Sequence, residues 1–145
     1  MVFEEIYRGY VLVDSSALIA LIDEQDQNHD YSLVALNELI DNADIRLFVC
    51  NLTIYETYTR LRYRFNWAKA RRAWDSTLLR SQPTYLEFRS SYELKTQEIL
   101  ETYRAHTLSF HDAGCAAVML DKKIGRVFTF DYDFSVIGFE RYPIY

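Results

Sequence analysis

Short apolar, β-branched runs alternate along the chain with longer stretches whose apolar residues recur at helical spacing. Val11-Leu12-Val13 predicts a strand, and residues 17–22 predict an apolar helix just after the polar Asp14-Ser15-Ser16. Residues 31–41 predict a second helix, with Leu33, Val34, Leu36, Leu39 and Ile40 on one face. A buried strand interrupted by Arg46 is expected over 45–50, then an antiparallel pair of helices over 53–64 and 67–79. Residues 85–88 form a weak strand candidate, and residues 92–103 predict an amphipathic helix with Leu94, Ile99 and Leu100 inward. The helix expected over 110–120 is rich in small residues (Ala113, Gly114, Ala116, Ala117), which suits close packing on a sheet. A strand over 126–130, a turn and a short helix ended by Gly138 follow. Tyr142-Pro143 permits only an edge strand at the C-terminal end.

Strand alternating with helix throughout implies parallel βαβ units and a sheet covered on both faces. The expected fold is a three-layer α/β/α sandwich around a mostly parallel sheet of about five strands. The 145 residues (17.2 kDa) fit one domain spanning 1–145, with no linker or internal repeat. Four Gly and two Pro exclude collagen-like, linker-rich and low-complexity classes. Cys50 and Cys115 are too few for a disulfide scaffold and lack zinc spacing, so both are expected to be reduced, packed thiols with no activating base nearby. The first residues show no basic leader or cleavage site, and the apolar stretch 17–22 is too short to cross a bilayer. A soluble, cytoplasmic protein is the expectation.

Four acids fall at equivalent places in this pattern. Asp14 follows the first strand, Glu56 lies in the first turn of the helix after the second, Asp112 opens the small-residue helix, and Asp131 follows the strand over 126–130. Each also has a local explanation. Thr53-Ile54-Tyr55-Glu56 and Ser109-Phe110-His111-Asp112 fit capping boxes, Asp14 with Ser16 can cap a helix, and Asp131 with Asp133 can form a turn. Glu56 can also pair with Arg60 one helical turn on. Yet in a parallel sheet the strand ends and following helix starts share one edge, so these local roles gather the acids together. Clustered carboxylates repel unless one takes up a proton or a cation joins them. Oxygen-loving Mg²⁺ or Mn²⁺ fits such a cluster, and the pairing suits phosphodiester hydrolysis. The three histidines are poor metal candidates: His29 and His106 are expected in loops, and His111 is expected on the helix surface, pointing away from Asp112, with a role tuning the site from behind its acids as the alternative.

The residues around these acids resemble a known family. Val11-Leu12-Val13-Asp14-Ser15-Ser16-Ala17-Leu18, Leu52-Thr53-Ile54-Tyr55-Glu56, Leu108-Ser109-Phe110-His111-Asp112-Ala113 and Val127-Phe128-Thr129-Phe130-Asp131-Tyr132-Asp133-Phe134 are similar, in order, to the four motifs of PIN-domain nucleases. The resemblance spans about residues 10 to 140. It implies a Mg²⁺- or Mn²⁺-dependent endoribonuclease most like VapC-type toxins of toxin–antitoxin pairs. Asp14, Glu56, Asp112 and Asp131 fall on the family's acidic positions, Asp133 on an accessory acid, and Ser16 and Thr129 on polar helper positions. Ser16 stands where many members have Asn. The resemblance also implies an RNA substrate, a cognate antitoxin and a second copy of the chain as partners, and no membrane. A stand-alone PIN-type RNA-processing nuclease is the nearest alternative.

The net charge of -5 counts at first against a nucleic-acid partner, but charge is unevenly placed. Between Arg60 and Arg80, the bases Arg60, Arg62, Arg64, Lys69, Arg71, Arg72 and Arg80 face one acid, Asp75. Tyr58, Tyr63, Phe65, Trp67 and Trp74 are interleaved with them. This segment reads either as an RNA-gripping helical hairpin, with Arg60, Arg64, Arg71 and Arg72 as phosphate contacts, or as a solvated face whose aromatics enter the core or a dimer interface. An aspartyl-phosphate phosphohydrolase would want an acid at position 16, where Ser16 stands. A non-catalytic interaction module is a further alternative, and Rossmann, P-loop and zinc-protease motifs are absent.

Overall fold

The computed structural model describes residues 7–142; the chain's first six residues and Pro143, on which the expectations about a leader and the last strand partly rested, lie outside them. Five strands, β1 (Tyr7–Val13), β2 (Arg46–Cys50), β3 (Thr84–Leu86), β4 (Ile124–Phe128) and β5 (Glu140–Tyr142), form one sheet in the order β3-β2-β1-β4-β5. Among the described residues every pairing is parallel, as the expected fold requires. Among the described residues seven α-helices connect them: α1 (Ser15–Ile22), α2 (His29–Asp41), α3 (Asn51–Arg64), α4 (Trp67–Ser81), α5 (Glu93–Thr102), α6 (Phe110–Lys122) and α7 (Asp133–Ile137).

Alternation along the strands divides the interior into two layers. Val11, Val13, Leu47, Val49 and Phe128 face one side, where Leu18, Leu36, Leu61, Ala70 and Trp74 of α1 to α4 cover them. Leu12, Phe48, Cys50 and Val127 face the other, against Ile99 of α5, the small-residue face of α6, and Phe134 and Ile137 of α7. Burial on both faces is why the strands read as continuous apolar runs. The helix faces differ in detail from the periodicity. Val34 and Ile40 are exposed while Ala35, Leu36 and Leu39 are buried, and Leu94 is exposed while Thr96 and Ile99 point in. A 100° step per residue separates neighbours that apolarity alone would group.

Close approach of α6 to α3 depends on Gly114. A Cβ there would lie 2.7 Å from Leu52 Cδ1 and 3.3 Å from the Phe88 ring. One methyl can be met by swinging the Leu52 tip, but a β-branched side chain cannot. Gly114→Val should therefore cost about 1–3 kcal/mol of stability, measured by urea unfolding. Gly138 ends α7 at φ 108°, in the left-handed region, as the sequence predicts. Among the described residues no helix is long and apolar enough to cross a membrane.

Candidate active site

In the strand order, the chain crosses to opposite sides of β1 on reaching β2 and β4, which makes β1/β4 the switch point where open α/β sheets place their sites. Asp14 emerges at the end of β1, its amide bonded to the Phe128 carbonyl of β4 at 3.0 Å. Its carboxylate is 1% exposed. Ser16 and Thr129 donate to one oxygen, Oδ2, at 2.9 and 2.8 Å, while Oδ1 has no hydrogen-bond partner. The two hydroxyls lie 3.0 Å apart, and each also receives a backbone N–H, Phe130 to Ser16 and Asp131 to Thr129. Ser16 and Thr129 thus tie the β1 end to the loop after β4. Asp14 is the residue before α1 but makes no side-chain cap.

Asp112 enters from the first turn of α6, where Ser109 caps the helix by accepting the Asp112 N–H at 3.0 Å, half of the expected capping box. The other expected box does not form. α3 begins at Asn51, so Thr53 and Glu56 lie inside the helix and both side chains turn to His111 instead. Glu56 also accepts from Ser15 at 3.2 Å, so the pairing with Arg60 gives way to site contacts.

His111 is the residue the sequence misplaces. It is largely buried between α3 and α6, with Nδ1 2.9 Å from Glu56 Oε2, 3.1 Å from Asp112 Oδ1 and 3.9 Å from Asp14 Oδ1. Nε2 lies 2.9 Å from Thr53 Oγ1. The expectation of a surface histidine failed because the flank of α6 that should face water faces α3. The small residues Gly114 and Cys115 after His111 were the available signal, because they bring α3 close enough to cover it. His29, too, is not in a loop: it opens α2 and its Nδ1 meets the Ala20 carbonyl at 2.7 Å.

Asp14, Asp112 and His111 each offer one ligand atom within 4.8 Å of the others. Glu56 reaches the same imidazole, Asp133 contacts Asp112, and Asp131 sits at the exposed rim. Electrostatics follow this arrangement. Burial raises the Asp14 carboxyl above its ordinary value. Partial desolvation, then the charges of Asp14, Asp112 and Asp133, push Asp131 up to about 6. Asp133 is raised by desolvation and by its contact with Asp112. The hydrogen bond to His111 holds Glu56 low; for Asp112, burial works upward, but the His111 bond and charge outweigh it. Burial opposes charge on His111 as well, yet Asp112, Glu56 and Asp14 push it up to about 10. In the metal-free protein the imidazolium supplies the charge that offsets the three carboxylates, while Asp14, Asp112 and His111, with one buried carboxylate oxygen unpartnered, form a donor set that could hold a divalent cation in its place.

The cysteines are free and buried as expected, but a base does lie near them, with Cys115 Sγ 3.5 Å from His111 Nε2. The Cys115 thiol's hydrogen bond, opposed by burial, lowers Cys50 to about 7.

The basic hairpin divides its residues between the two readings. Trp74 is buried in the core, and Phe65 is half-buried under the Lys69 ammonium, 4.6 Å above its ring. Tyr55, Tyr63 and Trp67 are exposed. Arg64 pairs with buried Asp23 at 3.0 Å, off the hydrogen-bonding direction, and Arg71 pairs with Asp75 on the surface. Arg72 has no such partner among the described residues, and the charge of Arg60 acts on Asp131.

A wholly parallel α/β domain with carboxylates gathered at its switch point defines the class. The PIN domain family model matches residues 11–140, and the chain belongs to that family. Among solved structures, the Mycobacterium tuberculosis toxin VapC20, described as sarcin–ricin loop cleaving, is 26% identical at a TM-score of 0.78, covering 89% of this chain and 95% of that one. VapBC2 from Rickettsia felis, bound to a DNA fragment from its promoter, is 13% identical at 0.71, covering 91% and 96%. FitAcB from Neisseria gonorrhoeae is 16% identical at 0.68, covering 90% and 95%. A search of curated proteins found no match. The fold is that of VapC structures, and the family assignment makes this a VapC-like nuclease.

Proposed function

We propose that the chain, acting as one domain, is a Mg²⁺- or Mn²⁺-dependent endoribonuclease and the toxin of a toxin–antitoxin pair. The observation that carries this is the buried Asp14 carboxylate, with one oxygen held by two hydroxyls and the other unpartnered and facing Asp112 and His111. Asp14, Asp112 and Glu56 hold the ion, with Asp131 and Asp133 completing the site from the rim. A divalent ion held by these residues would supply charge neutralisation at the phosphate and a more acidic attacking water. Asp131 orients that water and takes its proton, as a carboxyl raised toward neutrality suits. The water oxygen would bond to phosphorus while the bond to the 3′ oxygen breaks, and the 3′ oxygen would take up a proton from solvent, leaving a 5′-phosphate and a 3′-hydroxyl. Ser16 and Thr129 keep Asp14 in one rotamer. EDTA should abolish cleavage of single-stranded RNA and added Mn²⁺ or Mg²⁺ should restore it; cleavage that survives chelation would overturn the reading. Because VapC20 is a sarcin–ricin loop cleaving toxin, a stem-loop of that kind is the first substrate to assay.

The hairpin α3–α4 is the RNA surface in this reading, since Glu56 and Arg60 lie one turn apart on α3. Arg60→Ala with Arg72→Ala should weaken RNA binding and flatten its salt dependence by about two phosphate contacts. Arg71, released from a surface pair worth little, contributes in the same way. Arg64→Ala should instead lower stability, because Asp23 is left buried without its cation. Filter binding over a salt series separates these outcomes from thermal unfolding.

The VapBC and FitAB assemblies among the structural relatives support an antitoxin partner; to this the reading adds a basic antitoxin side chain set against the acidic site, a homodimer and a cytoplasmic location. Light scattering at twice the 17.2 kDa chain mass checks the dimer. A monomer would remove that part of the reading.

A further inference from the structure

His111 occupies a position that none of the four acids explains. Its Nδ1 stands between carboxylates from three separate elements, Asp14 after β1, Glu56 on α3 and Asp112 on α6. The ring's other nitrogen is held by Thr53 Oγ1, a fully buried hydroxyl, at 2.9 Å. A histidine that binds a metal characteristically gives its second ring N–H to such a partner, which fixes the tautomer and aims the free lone pair. With Nε2–H donated to Thr53, Nδ1 is the ring atom left to the acids, and in the metal-free protein its proton lies among Glu56 Oε2 at 2.9 Å, Asp112 Oδ1 at 3.1 Å and Asp14 Oδ1 at 3.9 Å, the place a cation would take on displacing that proton. Two ligand atoms on one ion at bond lengths of about 2.1 Å lie about 3.0 Å apart at right angles and about 4.2 Å apart across it. Both separations therefore fall within the reach of a single ion. Asp14 Oδ1 supplies an independent indication, being a buried carboxylate oxygen that no protein group satisfies.

We propose that His111 Nδ1 is a metal ligand beside Asp14 and Asp112, making the site a mixed nitrogen–oxygen one that selects Mn²⁺ over Mg²⁺. The proposal rests on the metal-dependent reading above and adds to it the ligand and the preference. Imidazole favours first-row transition ions, whereas Mg²⁺ demands oxygen and keeps its waters. Thr53 is the positioning residue behind the ligand.

The test is pulsed electron paramagnetic resonance on the full chain loaded with one equivalent of Mn²⁺, in unlabelled protein and in protein carrying ¹⁵N-histidine. A directly bound ¹⁴N coupling that becomes a ¹⁵N coupling on labelling, and disappears in His111→Asn, is the expected result. Competition should show that displacing Mn²⁺ from the unaltered chain takes at least about tenfold more Mg²⁺ than from His111→Asn. Thr53→Val should weaken Mn²⁺ binding by about 10- to 100-fold. Mn²⁺ bound with no directly coordinated nitrogen overturns the assignment of His111 and leaves a metal-dependent nuclease standing. Failure of the unaltered chain to bind Mn²⁺ at all overturns both. Where His111→Asn fails to fold, a ¹⁵N coupling that persists in His29→Asn and in His106→Asn assigns the nitrogen to His111, and one that vanishes in either overturns the assignment.

Discussion

Asp14→Asn should fold normally yet lose RNA cleavage on the order of a thousandfold, the scale of removing a group on which transition-state charge stabilisation depends. The amide oxygen can keep the Ser16 and Thr129 bonds, so the loss falls on the unpartnered position facing His111 and Asp112. The same substitution should raise the stability of the metal-free protein at neutral pH. Asp14, Asp131 and Asp133 all titrate above their ordinary values when folded, so each favours folding most at acid pH and loses that contribution as pH rises through its folded value, about 6 for Asp131. His111 contributes fully below its ordinary 6.5 and loses that contribution as pH rises toward about 10. Glu56 and Asp112 act oppositely: their contribution is present above the ordinary carboxylate range and disappears on acidification. Chelated protein should therefore melt highest near pH 5 and progressively lower toward pH 8. Metal at a hundredfold excess over Kd should add about 2.7 kcal/mol, or about 5–10 °C, and Asp14→Asn should erase that gain. A variant that cleaves at full rate, or still gains the metal shift, would remove Asp14 from the site.

Phe128→Ala should cost about 3–5 kcal/mol, a large part of the stability of a domain this size. Phe128 is fully buried at the end of β4, with Phe130 and Tyr142 packed edge-on at 6.0 and 6.3 Å. Its carbonyl also receives the Asp14 N–H, so the cavity opens directly beneath the acid cluster. Urea unfolding gives the loss. Cleavage measured well below the new midpoint should fall as well, because the backbone that sets Asp14 relative to Thr129 loses its packing. A loss below about 1 kcal/mol would mean the ring is not packed as described.

What could be read beforehand was whatever a local rule determines. The order of strands and helices follows from periodicity, and the gathering of Asp14, Glu56 and Asp112 follows from strand ends and helix starts sharing one sheet edge. What stayed hidden depends on neighbours distant in sequence. Val34 and Leu94 are apolar and exposed because a helix's apolar residues say nothing about which flank another helix covers. His111 looked external for the same reason, until α3 was placed against it. Thr53 looked like a cap because its spacing to Glu56 was right, whereas α3 starts two residues earlier at Asn51. Arg64 looked like a phosphate contact, and its buried partner Asp23 lies 41 positions away at the far end of α1.

The Thr129 hydroxyl that secures Asp14 comes from 115 positions further along the chain, and β4 beside it must pair with β1 before that bond exists. Synthesis runs from the N-terminus, so a ribosome that has released only α1 to α5 has exposed Asp14 and Glu56 but neither Asp112 nor Thr129. Contacts of such separation close late and slowly. On the function proposed above, a chain released only as far as α5 therefore lacks two of the groups that make up the acidic site. The long reach between β1 and β4 makes the Asp14–Thr129 bond one of the last features of the site to form.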